Sequence, residues 1–217
     1  MQRMIESGQP DLAWQLFRAN DELALTRGVV GGLPETMDAY PHPGEPRPRL
    51  TGTFLQAWSN AEQLRVWYQC LIGVRPDMLH GDVVLAPRLP AALDRVQFTV
   101  RVGAGSIDGD FDRPGGERRY VYRLRDLATR LTLDVAPYEV RSFAAAPGDA
   151  LVAEVRPDGL HARLESATGA PRETVVLARS PARMQRQEKL VAILAGTRFA
   201  QPRAADSHPT MHEVYRR

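Results

Sequence analysis

From Asp82 onward, apolar residues recur at every second position, and this alternation is the strongest constraint on the fold. Val96, Phe98, Val100 and Val102 alternate with polar neighbours, as do Tyr120, Tyr122 and Leu124, and then Leu131, Leu133 and Val135. A period of two places such residues on one face of an extended strand. Residues 151–156, 160–165 and 174–178 supply further short candidates. Turn signals separate them at Pro114-Gly115-Gly116, Pro147-Gly148-Asp149 and Pro157-Asp158-Gly159. Many short strands so punctuated predict an antiparallel sandwich. Gly103-Ala104-Gly105 follows a strand, but the next residues, Ser106-Ile107-Asp108, make a turn the better reading than a dinucleotide fingerprint.

The segment before Asp82 has a different period. Residues 10–27 read as a helix carrying Leu12, Ala13, Leu16, Phe17, Leu23 and Leu25. Pro10 opens it without losing an intrahelical bond, and Gly28 closes it in the left-handed conformation. Residues 29–54 form a loop with five prolines, anchored by Leu33, Met37, Tyr40 and Phe54. A loop this long reads as functional when it is ordered. Residues 56–72 form the clearest helix, with Ala57, Ala61, Leu64, Tyr68, Leu71 and Ile72 as an apolar stripe that needs a partner surface. Gly73 and Pro76 stop it. Ser180 and Pro181 begin a last helix bearing Met184, Leu190, Val191 and Leu194, and a polar tail follows Gly196. The chain is therefore read as α+β in three parts: helical 1–80, β-rich 81–180, and a terminal helix with its tail, 181–217.

Composition narrows the function. With 217 residues, 43% apolar and 25% charged, the chain can bury a normal globular core. A net charge of +2 gives no reason to expect nucleic acid. No apolar run reaches the roughly 18 residues of a membrane span. The first residues lack a signal-peptide pattern, so cytoplasm is the default compartment. Cys70 is the only cysteine, excludes an intrachain disulfide, and reads as a packing thiol.

The chemistry concentrates in Gly31-Gly32-Leu33-Pro34-Glu35-Thr36-Met37-Asp38 and, after Gly44, in Gln56-Ala57-Trp58-Ser59. A carboxylate stands in a glycine- and proline-framed loop, ahead of an aromatic residue at a helix start. Glycoside hydrolysis needs carboxylates across the scissile bond and aromatic faces against sugar rings. Glycines let the backbone approach a ligand, and proline restricts the loop around the acid. From spacing alone, Glu35 also reads as a surface carboxylate in a turn, and Trp58 as a core residue of its helix.

At these residues the chain resembles the end of the amylo-α-1,6-glucosidase domain of glycogen debranching enzymes. More loosely it resembles other glucoamylase-like enzymes built on a barrel of six helix pairs. The resemblance covers roughly residues 10–90. It implies the end of an (α/α)6 barrel followed by a β-sandwich-like domain, acting on a glucan or oligosaccharide by an inverting mechanism. It assigns Glu35 as the general base that activates water and Trp58 as a residue shaping the sugar site, with Gln56 and Asp38 as nearby polar contacts. It calls for no metal and no organic cofactor. The family's general acid lies upstream of this stretch. The acid and most sugar subsites are thus expected on a barrel segment outside these residues, and the chain alone is expected to be inactive.

The alternating strands support a second expectation, a non-catalytic β-sandwich module that binds carbohydrate or protein. Other signals are weak. His208, His212 and Glu213 have helical spacing for a metal, but Pro209 interrupts them. His42 reads as a solvent-exposed turn residue. Arg183, Arg186 and Lys189 read as a solvated basic helix face. Ser106 and Ser142 lack a nucleophile-elbow pattern.

Overall fold

A computed structural model describes residues 1–196, with side chains to residue 190. The polar tail with His208, His212 and Glu213, and the side chains of Val191 and Leu194, lie outside the described residues. The chain is a mixed α+β structure made mostly of strands in antiparallel sheets, with few helices. No helix among the described residues is long and apolar enough to cross a membrane.

Helices come first. α1 spans Gln2–Glu6 and α2 spans Pro10–Thr26, with Pro10 at its first turn. Gly28 follows with φ +69°, the left-handed conformation that lets the chain leave the helix. The proline-rich loop is ordered by a two-residue pairing between β1 (Thr36–Met37) and β2 (Leu50–Thr51). α3 spans Ala57–Arg65 and continues as a π-helical turn over Val66–Leu71.

That π turn changes which face is buried. The residues of this helix that pack inward are Gln63, Val66, Cys70 and Leu71, against Ile5, Ala13 and Phe17 of α1 and α2. The stripe expected from sequence splits. Leu71 and Ile72 are fully buried, whereas Leu64 is 60% exposed and Ala57, Ala61 and Tyr68 also face solvent. One extra residue in the i→i+5 turn advances the helix face, so an i, i+4 stripe begun at Ala57 does not stay on one side. α3 thus carries two apolar faces, one packed and one open. α2 does the same, burying Ala13 and Phe17 and leaving Leu12, Leu16 and Leu25 exposed.

The strands after β2 form two sheets. β3 (Val74–Asp77), β4 (Asp82–Leu85), β8 (Thr129–Leu133) and β9 (Arg141–Ala145) make a four-stranded sheet ordered β3-β4-β8-β9. β5 (Arg95–Val102), β6 (Gly105–Asp112), β7 (Arg118–Arg125), β10 (Ala150–Arg156), β11 (Gly159–Glu165) and β12 (Pro171–Leu177) make the other, ordered β12-β11-β10-β7-β6-β5. The chain leaves the large sheet after β7, forms β8 and β9, and returns so that β10 pairs with β7. Among the described residues, β4 and β8 are the one parallel pair of strands.

The sheets face each other across one core. Val83, Leu85, Leu131, Leu133 and Phe143 from the small sheet meet Ile107, Phe111, Tyr122, Leu151 and Leu164 from the large one. β6 alternates buried and half-buried residues along its whole length. Two of its inward positions are glycines. A side chain at Gly109 would run into the Phe98 ring, and one at Gly105 into the Arg125–Asp126 backbone. The first sheet begins at Val74, so the boundary expected near residue 81 falls within the β3–β4 hairpin. Trp67 and Leu89 pack against both this core and the smaller helical one. α4 (Pro181–Gly196) follows β12 and returns to the helical end.

Candidate functional site

Glu35 is exposed and directly follows the buried pair Leu33 and Pro34. Two side chains of the first turns of α3 fix that backbone. Asn60 Oδ1 accepts from the Leu33 amide at 2.9 Å, and Ser59 Oγ donates to the Pro34 carbonyl at 3.0 Å. The Gln56 amide adds a bond to the Leu33 carbonyl at 2.9 Å. Opposite, Thr53 donates from its amide and its hydroxyl to Glu35 Oε2, each at 3.2 Å. The carboxylate is therefore held between the start of α3 and the strand-like return of the loop.

Gly52 makes that approach possible. Its φ is +70°, and a Cβ there would meet the Glu35 side chain, with Oε2 at 2.5 Å. Both the backbone conformation and the space demand glycine.

Glu35 and Trp58 line one open groove of about 270 Å3, with Leu33, Met37, Ser59 and Glu62 among its walls. Trp58 is 55% exposed, so it is not a core residue of its helix. The other two expected residues stand elsewhere. Gln56 precedes α3 as its N-cap and does not line the groove. Asp38 is likewise absent from the groove and bonds through Oδ2 to His42 Nε2 at 2.8 Å. His42 is therefore partnered, though still exposed.

Several contributors were not legible beforehand. Thr53, Asn60 and Ser59 act by contacts 18 to 27 residues apart in sequence, which no local pattern announces. Glu62 lines the same groove but is engaged with Arg65 at 2.9 Å. Gln63 ties α3 to α2 by donating to the Phe17 carbonyl at 3.1 Å and to Asp21 at 2.9 Å. Of these residues, only Ser59 stands in a stretch that the sequence singles out, Gln56-Ala57-Trp58-Ser59.

Cys70 is buried among Ile5, Phe17 and Leu71, and burial pushes its thiol above the ordinary pKa. That makes it a poor nucleophile. Among the described residues, no group of three or more histidine, cysteine or acidic side chains is placed to hold a metal.

Comparison of the chain with protein-family models, with curated proteins and with solved structures returns no match.

Proposed function

We propose that this chain is the C-terminal part of a glycoside hydrolase of the amylo-α-1,6-glucosidase type, cleaving α-glucosidic branch bonds in glycogen-like glucans with inversion. Glu35 is the general base that takes a proton from the attacking water, and Trp58 packs against a sugar ring. A carboxylic acid on a helical segment outside the chain protonates the leaving oxygen.

The observation that carries this reading is the pairing of an anchored, exposed carboxylate with an exposed tryptophan in one groove. In an inverting enzyme the base must leave room for water, and Glu35 Oε1 has no protein donor among the described residues. The groove is also smaller than the roughly 300–1,000 Å3 of a closed small-molecule site, which fits a site completed by further elements. Among the described residues, fourteen of the sixteen exposed large hydrophobic side chains fall between Leu12 and Leu79. Helices with apolar residues on two faces belong between neighbours, as in a helical barrel.

The test is turnover of a branched α-glucan by the full-length polypeptide that carries this segment. Glu35→Gln lowers turnover by about 100- to 10,000-fold, the range for loss of a general base, while glucan binding persists. Near-wild-type turnover rejects the assignment. An upstream region with no in-frame helical stretch rejects the barrel.

The alternative, a non-catalytic sandwich module for carbohydrate or protein, fits the closed core between the two sheets. Sugar recognition by the sandwich has less support. Among the described residues, the exposed aromatics Tyr40, Phe54, Trp58 and Tyr68 all precede it.

A further inference from the structure

A second cavity, of about 590 Å3, opens where α1, the start of α2, the exit from β4 and α4 converge. It shares no lining residue with the Glu35 groove. Its volume falls within the roughly 300–1,000 Å3 of small-molecule sites.

Its charge is unbalanced. Arg75, Arg88, Arg118, Arg183 and Arg186 line it, against Glu6, Asp11 and Asp134. Among the described residues, Asp134 is the one carboxylate paired with any of the five. It accepts from Arg88 Nη2 at 3.0 Å and also from Arg183. Glu6 is bound by Gln2 and Arg3, and Asp11 by the Ala91 amide at 2.6 Å. Two guanidinium groups thus share one carboxylate, and among the described residues Arg75, Arg118 and Arg186 form an ion pair with none.

The arrangement is also fixed in advance. Arg88 Nη1 donates to the Pro87 and Asp134 carbonyls at 2.8 and 2.7 Å, and Arg183 Nη1 to the Tyr138 carbonyl at 2.9 Å. Arg183 is therefore docked on the sandwich, and the basic face of α4 is not merely solvated. Half-buried guanidinium groups in excess of their carboxylates repel one another in a low-dielectric cleft, and an anion relieves that repulsion. Burial already holds the Arg88 guanidinium below its ordinary pKa.

We propose that this cavity binds a sugar phosphate. Planar guanidinium forks match the oxygen geometry of a phosphate dianion, and Arg118 and Arg186 have donors to give. Gln187, Glu6 and Asp11 offer polar partners to hydroxyl groups, and Pro87, Pro137 and Leu89 an apolar wall for the ring. Among the described residues the lining holds no aromatic side chain, so a nucleobase finds no stacking surface there. The inference stands independently of any catalytic role for Glu35.

Isothermal titration of the full chain at low salt tests it, with glucose 6-phosphate, inorganic phosphate, adenosine monophosphate and glucose as probes. Glucose 6-phosphate binds about tenfold or more tightly than the other three, and added salt weakens it. Arg118→Gln with Arg186→Gln weakens that binding about tenfold or more without moving the unliganded melting temperature. Arg186→Gln alone, at an exposed position, gives a smaller loss and cannot disturb the core. Equal affinity for inorganic phosphate overturns the sugar phosphate in favour of a bare anion site. Tighter binding of the nucleotide overturns it as well. No binding of any probe, or binding untouched by the arginine variants, removes the site.

Discussion

Thr53 holds Glu35 by a single oxygen, donating from both its amide and its hydroxyl to Oε2 at 3.2 Å. Among the described residues, no donor bonds to the other oxygen. In the proposed role as a base, a carboxylate fixed on one side and open on the other acts without first breaking a protein contact.

Gly52→Ala breaks this arrangement at its narrowest point. The added methyl meets the Glu35 carboxylate, and φ +70° is strained for any residue with a Cβ. A loss of about 1–2 kcal/mol is expected from the backbone alone. Urea denaturation reads it, and the Thr53 amide resonance reports the displaced carboxylate. An unmoved Thr53 resonance contradicts the contact.

Asp134→Asn leaves Arg88 and Arg183 without their shared carboxylate, at a cost of about 3 kcal/mol or more, because a half-buried charge loses its partner. The two partners report opposite balances. Burial outweighs the pairing at Arg88, while at Asp134 burial pushes the pKa up but the bonds from Arg183 and Arg88 hold it below the ordinary 3.8. The network is therefore costly to break rather than a large net gain. A lowered carboxylate pKa stabilises the fold above the unfolded value, and that stabilisation fades as pH falls below about 3.8 through the folded pKa. Acid unfolding monitored by near-UV dichroism checks it: Asp134→Asn flattens the pH dependence in that window.

Leu64→Glu and Leu16→Glu test the open helical faces. In the isolated chain each changes stability by no more than about 0.5 kcal/mol and raises solubility, because both residues are exposed. Leu71→Ala, on the packed side of the same helix, costs about 2–5 kcal/mol. Paired denaturation curves and light scattering decide the matter. A large loss from Leu64→Glu means that this face is already covered.

Hydrogen exchange separates the two halves. Amides of β6, β7 and β10, interior to the large sheet, exchange slowest. Residues 29–56, held by the two-residue β1–β2 pairing and scattered loop bonds, exchange fastest. Uniformly slow exchange across both contradicts an incompletely partnered helical half.

The sandwich was largely legible because its alternation is strict where β-branched and aromatic residues supply it, as at Val96 to Val102 and Tyr120 to Leu124. β6 was hidden for a physical reason. Its inward row contains Gly105 and Gly109, and its outward row Asp108, Asp110 and Asp112, all poor strand formers by propensity. Tertiary contact decides there: Phe98 covers the space that Gly109 leaves. β9 was hidden because Arg141 and Ser142 precede its only large apolar residue, Phe143. Helix α3 was legible in extent, but its buried face was not, since nothing in Val66-Trp67-Tyr68-Gln69 announces a π turn. Glu35 and Trp58 were legible as residues, whereas their anchoring by Thr53, Ser59 and Asn60 depends on the fold.

Trp67 packs against both apolar cores, its ring tilted against those of Trp14 and Phe17 at centroid distances of 6.1 and 5.8 Å while it also touches the sandwich. A hinge between the halves would have to pull this ring out of one of them. The two halves therefore turn as one body, and the sheets set the compass bearing of the exposed helical face. Anything that docks on that face inherits a fixed angle to the sandwich, so the strands take part in orienting a surface they never touch.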